Sequence, residues 1–122
     1  MAPAGIEMHL GIVRDEQFGP LVLVAAGGVL VEVLADRRLA LPPLDHARAL
    51  SMIERLRTRP LLEGVRGAAP ADLDALARAV VALSRLAQDL GDAVDAVDAN
   101  PIICGPAGCL AVDALVLPRR VA

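Results

Sequence analysis

The chain contains no lysine, no tyrosine and no tryptophan, and Phe18 is its single aromatic residue. Without lysine there is no amine for Schiff-base chemistry, nor the ammonium that usually grips nucleotide phosphates. Without aromatic platforms, a stacking groove for nucleic acid is disfavoured, and the net charge of −3 adds no electrostatic case for one. All twelve basic residues are arginines. Cys104 and Cys109 are the only cysteines. No further Cys or His spacing completes a zinc site; the pair could close to a disulfide under oxidation, and in a cytosolic chain two reduced thiols are the expectation. No apolar run approaches the roughly 20 residues of a membrane span. The opening "MAPAGIEMHL" has no signal-peptide layout either, so the expectation is a cytoplasmic protein with no membrane and no nucleic-acid partner.

What is present is apolar and aliphatic. With 122 residues, 56% hydrophobic and 22% charged, the chain is one domain or a piece of one, with a core of Ala, Val, Leu and Ile. Ile6, Met8, Leu10 and Ile12 alternate with Glu7, His9, Gly11 and Val13, a period of two that predicts a half-buried strand. "LVLVAA" at 21–26 and "VLVEVLAD" at 29–36 read as two buried strands joined by Gly27 and Gly28. Asp45 is placed to cap a helix over 46–57, with Ala49, Leu50, Ile53 and Leu56 inward. Residues 59–67 show no period and read as a loop. Leu73, Leu76, Val80, Leu83, Ala87 and Leu90 fall three or four apart, predicting a helix that stops at Gly91. Strands over 94–104 and 109–117 follow. This order predicts an α+β domain with a largely antiparallel sheet covered by two helices.

The last two strands carry the chemistry. A four-residue connection, Gly105 to Gly108, sets Cys104 opposite Cys109 and, counting back, Asn100 opposite Asp113. Directly opposed residues have Cβ atoms about 4.5–5.5 Å apart, close enough for a carboxamide and a carboxylate to share one hard cation. Asp98 projects from the same face as Asn100 because strand side chains alternate. The competing reading is a cluster of solvated polar residues beside a turn, with Pro101 as an edge-strand breaker. Geometry alone leaves both open.

"GIVRDEQFGPLVLVAAGGVLVEVLADRRLALPPL", "LLEGVRG", "DANPI" and "AVDALV", in this order over residues 5–117, resemble the C-terminal part of the ATP-grasp region of NDP-forming acyl-CoA synthetases. The resemblance implies an ATP-grasp C-terminal subdomain from a larger multidomain chain. It assigns magnesium to Asn100 and Asp113, and it sets Asp98 beside the phosphoryl group in flight. It also implies ATP or ADP as the nucleotide. The absent partners are the N-terminal ATP-grasp subdomain and the CoA-binding domains, and surface left uncovered by them favours a homodimer. The family's phosphohistidine lies outside the matched segment, so His9 and His46 are expected as solvated surface residues. A second implied role is a degenerate regulatory or assembly domain in a protein acetyltransferase fusion.

Gly27 and Gly28 carry two readings: a turn with positive φ, or backbone N–H groups approaching phosphate in the cofactor site. Glu32, between Leu30 and Leu34 on one strand face, needs a partner if buried. The partner is expected to be Arg66 or a backbone donor; a structural ion pair is the first reading, and a direct catalytic role, at the cofactor with the two glycines, is the second. Asp15 and the "FGP" turn read as structural, at the edge of the site.

Overall fold

The protein is described here by a computed structural model over residues 5–27, 36–64 and 69–120. The alternating N-terminal segment forms β1, Ile6–Asp15, and Met8, Leu10 and Ile12 are buried as its period of two requires. A tight turn returns the chain into β2, Gly19–Ala26. There the Asp15 carboxylate accepts the N–H groups of Gln17 and Phe18 at 2.8 and 2.9 Å, and Gly19 adopts a φ of 75°. The structural reading of Asp15 rests on these bonds. The expected strand at 29–36 falls, apart from Asp36, outside the described residues. A short edge strand, β3, Arg37–Ala40, was not anticipated.

Helix α1, His46–Glu54, begins where Asp45 accepts the Arg48 N–H at 2.8 Å, and it ends earlier than residue 57. Residues 59–62 correct the loop reading: Arg59–Leu62 form the one-turn helix α2. Four residues are too few to show a 3.6-residue period. Buried Asp36 accepts the N–H groups of Arg57 and Thr58 at 2.7 and 2.8 Å, so a carboxylate one strand away stabilises the approach to α2. Helix α3 occupies Leu73–Leu90 as expected, capped by Asp72, which accepts the Ala75 N–H at 2.9 Å. Gly91 does follow it, though with an ordinary φ of −55°. The physical reason for glycine there is space, because a Cβ would lie 2.7 Å from Pro20 Cγ.

A 3₁₀ turn, Gly91–Ala93, leads into β4, Val94–Gly105. The returning strand is split into β5, Gly108–Ala111, and β6, Ala114–Pro118. Among the described residues these strands make one antiparallel sheet ordered β3-β2-β1-β4-β5, with β6 also on β4. Helices α1 and α3 cover one face. Their Ala49, Ile53, Leu76 and Val80 meet Leu10, Ile12, Val22 and Val97 in a single core. Burying each of the larger aliphatic side chains contributes about 1.5–3 kcal/mol. No helix among the described residues covers the other face, and that face holds the hairpin acids.

Candidate functional site

The register is the one that the sequence implies. Cys104 opposes Cys109 and Gly105 opposes Gly108, with Pro106 and Ala107 at the turn. The Asn100 N–H donates to Asp113 O at 3.1 Å, so these two residues face each other across the ladder. Asp98 pairs with Leu115 on one side and Gly11 on the other, which places it on the His9 face of the sheet, and Asn100 follows it two residues on.

Asn100 and Pro101 lie in a β-bulge. Met8 pairs with Ile102 and Leu10 with Ala99, so two β4 residues oppose His9 alone. Pro101 has no N–H to give the ladder, which accounts for the irregularity at this point. The same disturbance separates β5 from β6 at Val112 and Asp113. Asp113 is exposed, and its carboxylate accepts the Ala114 N–H at 2.9 Å. Asn100 is exposed as well.

The neighbour that sequence reasoning missed is His9. It is not a solvated surface residue: its side chain is only 21% exposed, and its Nε2 contacts Asp98 Oδ1. Cross-strand pairing explains the contact. Gly11 lies opposite Asp98, and without a side chain it leaves room for His9 to lean across the diagonal. Glycine is also required there, since a Cβ would fall 2.5 Å from Val97 O. Beside the pair lies a cavity of about 270 Å³ lined largely by Val13, Leu23, Ala96, Leu115 and Leu117. His46, by contrast, remains half-exposed and pairs with Asp74 at 3.0 Å on the helical side.

Gly27 is buried, and its N–H donates to Glu7 O at 3.0 Å. That donor is committed to the sheet, and φ is not positive there. What requires glycine is close approach: a Cβ would lie 3.0 Å from the Glu7 carbonyl carbon. Gly28, Glu32 and Arg66 lie outside the described residues.

Among the described residues, no group of three or more His, Cys, Asp or Glu side chains could by itself hold a metal. Asn100 on β4 and Asp113 in the gap between β5 and β6 instead offer two hard oxygen donors. That donor set suits Mg²⁺, an ion that keeps waters or phosphate oxygens in most of its shell. A larger groove of about 520 Å³ lies on the helix side between β3 and α1, where Arg38, Arg48 and Arg55 line it. It is three strands away from the hairpin acids.

A family model for the ATP-grasp domain matches residues 1–117. The chain belongs to the ATP-grasp family. Among curated relatives, the beta subunit of ADP-forming acetate–CoA ligase I of Pyrococcus furiosus is 38% identical over 117 residues, covering 96% of this chain and 50% of that subunit. The trans-feruloyl-CoA synthase FCS1 of an unknown prokaryotic organism is 38% identical over 122 residues, covering 98% of this chain and 17% of that protein. Among solved structures, a dinucleotide-forming acetyl-coenzyme A synthetase of Ca. Korarchaeum cryptofilum, in complex with coenzyme A and Ca-AMPCP, superposes with a TM-score of 0.91 at 37% identity. It covers 98% of this chain and 52% of that one. Another state of the same protein holds Mg-AMPPCP, with its phosphohistidine segment pointing towards the nucleotide binding site (TM-score 0.89, 37% identity, 98% and 55% covered). This ATP-grasp chain thus spans half the length, or less, of the curated relatives named. Its α+β antiparallel architecture is that of the corresponding segment in the synthetase structures.

Proposed function

We propose that this chain is the metal- and phosphate-handling half of an ATP-grasp domain in an NDP-forming acyl-CoA synthetase. The parent reaction would convert acyl-CoA, ADP and phosphate reversibly into the acid, CoA and ATP. The observation that carries the reading is the opposition of Asn100 and Asp113 at the bulge, with the Asp98–His9 pair beside them on the sheet face without helices. The relatives, which are CoA ligases and synthetases, support it.

On this reading Asn100 and Asp113 hold Mg²⁺, and the bound ion would supply charge neutralisation at the nucleotide phosphates. Asp98 stands beside the transferring group as a fixed carboxylate. His9 holds that carboxylate in one orientation, and positioning is most of what phosphoryl transfer asks of a protein. The bulge turns the Asn100 side chain away from regular pairing. The apolar surface of Leu115 and Leu117 takes the remaining half of the domain and keeps water from the cleft. Gly27 serves as a packing residue at the rim, and Gly28 and Glu32 belong at the cofactor on the family resemblance alone. The regulatory or assembly role is the weaker reading, because Asp98, Asn100 and Asp113 are all present.

The test is Asp113→Asn in an intact protein that joins this segment to the rest of its ATP-grasp domain. The change is nearly isosteric, so the fold should persist, while ATP formation from acyl-CoA, ADP and phosphate should fall by about 10²-fold or more. Turnover near that of the unaltered protein at limiting Mg²⁺ would return Asp113 to the solvated-surface reading.

A further inference from the structure

We propose that Cys104 and Cys109 form a peroxide-sensitive dithiol site at the tip of the β4–β5 hairpin, closing reversibly to a cross-strand disulfide. The proposal is independent of the ATP-grasp reading. Both cysteines are free in the structure, as expected of reduced thiols, and the proposal adds what they do when an oxidant arrives.

The geometry is set by the turn. Gly105 pairs with Gly108 around Pro106 and Ala107, so Cys104 and Cys109 are the next opposed pair. The Val112 N–H donates to Pro101 O at 3.0 Å, which fixes the phase of the ladder between the bulge and the tip. Hydrogen-bonded pairs then fall at every second position, at 103 with 110 and at 105 with 108. The cysteines occupy the intervening non-hydrogen-bonded pair, where Cα atoms are about 4.5 Å apart and side chains are closest. That spacing lies at the short end of the range a disulfide spans. The two sulfurs already share a hydrogen bond at 3.0 Å. The tip is anchored from below, since Gly105 O accepts the Asp72 N–H at 2.8 Å at the start of α3.

The two thiols are unequal. Cys104 is buried, whereas Cys109 is partly exposed. The hydrogen bond between the two sulfurs holds the Cys109 thiol below its ordinary value, helped by Arg78 and opposed by burial and Asp72. The same hydrogen bond, with burial behind it, pushes Cys104 up. Cys109, the more exposed and more readily ionised of the two, is therefore the sulfur that an oxidant meets first, and Cys104 resolves it. The Cys109 sulfur attacks one oxygen of hydrogen peroxide, so the O–O bond breaks, a sulfenic acid forms and hydroxide leaves. The Cys104 sulfur then attacks the Cys109 sulfur, the S–O bond breaks, and the Cys104 proton leaves with the hydroxyl as water. Two thiols and one peroxide become one disulfide and two waters. The bond would cross-link β4, which carries Asn100, to β5, which leads into Asp113.

The test is intact mass of the reduced 122-residue chain after treatment with stoichiometric hydrogen peroxide. The expected product is a monomer lighter by two hydrogens, mapped to a Cys104–Cys109 peptide and restored by dithiothreitol. Cys104→Ser should accumulate a sulfenic acid on Cys109 that dimedone traps, and Cys109→Ser should leave Cys104 unmodified. Oxygen added to either sulfur without loss of the thiol pair would overturn the proposal. So would disulfides formed only between chains, or equal peroxide reactivity of the two single variants. None of these readouts uses nucleotide or activity, so the outcome is separate from the ATP-grasp assignment.

Discussion

His9 and Gly11 show how a site depends on residues with no chemistry of their own to advertise. Asp98 was legible from the "DANP" run, but its partner lies 89 residues away, and a period of two says only which face His9 takes. The contact exists because the residue directly opposite Asp98 is glycine. Two expectations follow at this scale. In a double-mutant cycle, His9→Ala and Asp98→Asn should couple by about 0.2–1 kcal/mol, the range for a part-exposed pair, when read from urea unfolding. Additive effects of the two changes would mean that the pair is not held in solution. Gly11→Ala should cost about 1–3 kcal/mol, since its Cβ would press on the Val97 carbonyl at 2.5 Å and a backbone atom cannot simply rotate away. An unchanged urea midpoint would contradict that packing. The cofactor reading of Gly27 failed to gain support for a similar reason: sequence shows a glycine but not whether its N–H is already committed to Glu7.

Elements were legible in proportion to their length. Helix α3 repeats its apolar stripe over 18 residues, so the stripe from Leu73 to Leu90 and the stop at Gly91 were legible, while its cap Asp72 was not. Strand β3 and helix α2, four residues each, carry no period that a sequence can display. The 109–117 strand was read as continuous because nothing within it signals a break. The interruption falls opposite the bulge at Asn100 and Pro101. One polar residue on the α3 stripe also went unremarked: buried Ser84 accepts the Leu44 N–H at 2.7 Å, so a hydroxyl in the core satisfies the loop that enters α1. The caps are the testable part of this scale. Asp72→Ala removes the acceptor for the Ala75 N–H and should destabilise the chain by about 0.5–2 kcal/mol, whereas Asp72→Asn, which keeps a capping oxygen, should recover most of that loss. Thermal unfolding of the two variants side by side checks it, and equal losses would assign the effect to charge rather than capping.

For the whole molecule the deciding feature is an uneven surface. The helical side is closed over the core, while Leu110, Val112, Leu115, Val116 and Leu117 line the β5–β6 edge with 47–55% of their surface exposed. Five large apolar residues along one edge exceed the scattered singles that a monomer ordinarily shows, and an edge strand also offers unpaired backbone groups. In the proposed parent the remaining half of the ATP-grasp domain covers this region. Among the described residues of the 122-residue chain nothing covers it, and the simplest closed way to hide the edge is against a second copy across a two-fold axis. Sedimentation at high micromolar concentration should therefore show a dimer in equilibrium with monomer. Leu115→Glu with Leu117→Glu should shift that equilibrium to monomer while leaving the unfolding midpoint nearly unchanged, because exposed positions contribute within about 0.5 kcal/mol. Monomer at every concentration in the unaltered chain would mean that the edge does not associate on its own. Dimers that survive the double substitution would move the interface elsewhere, and the cavity beside Asp98 would then stand open to solvent in the dimer as well.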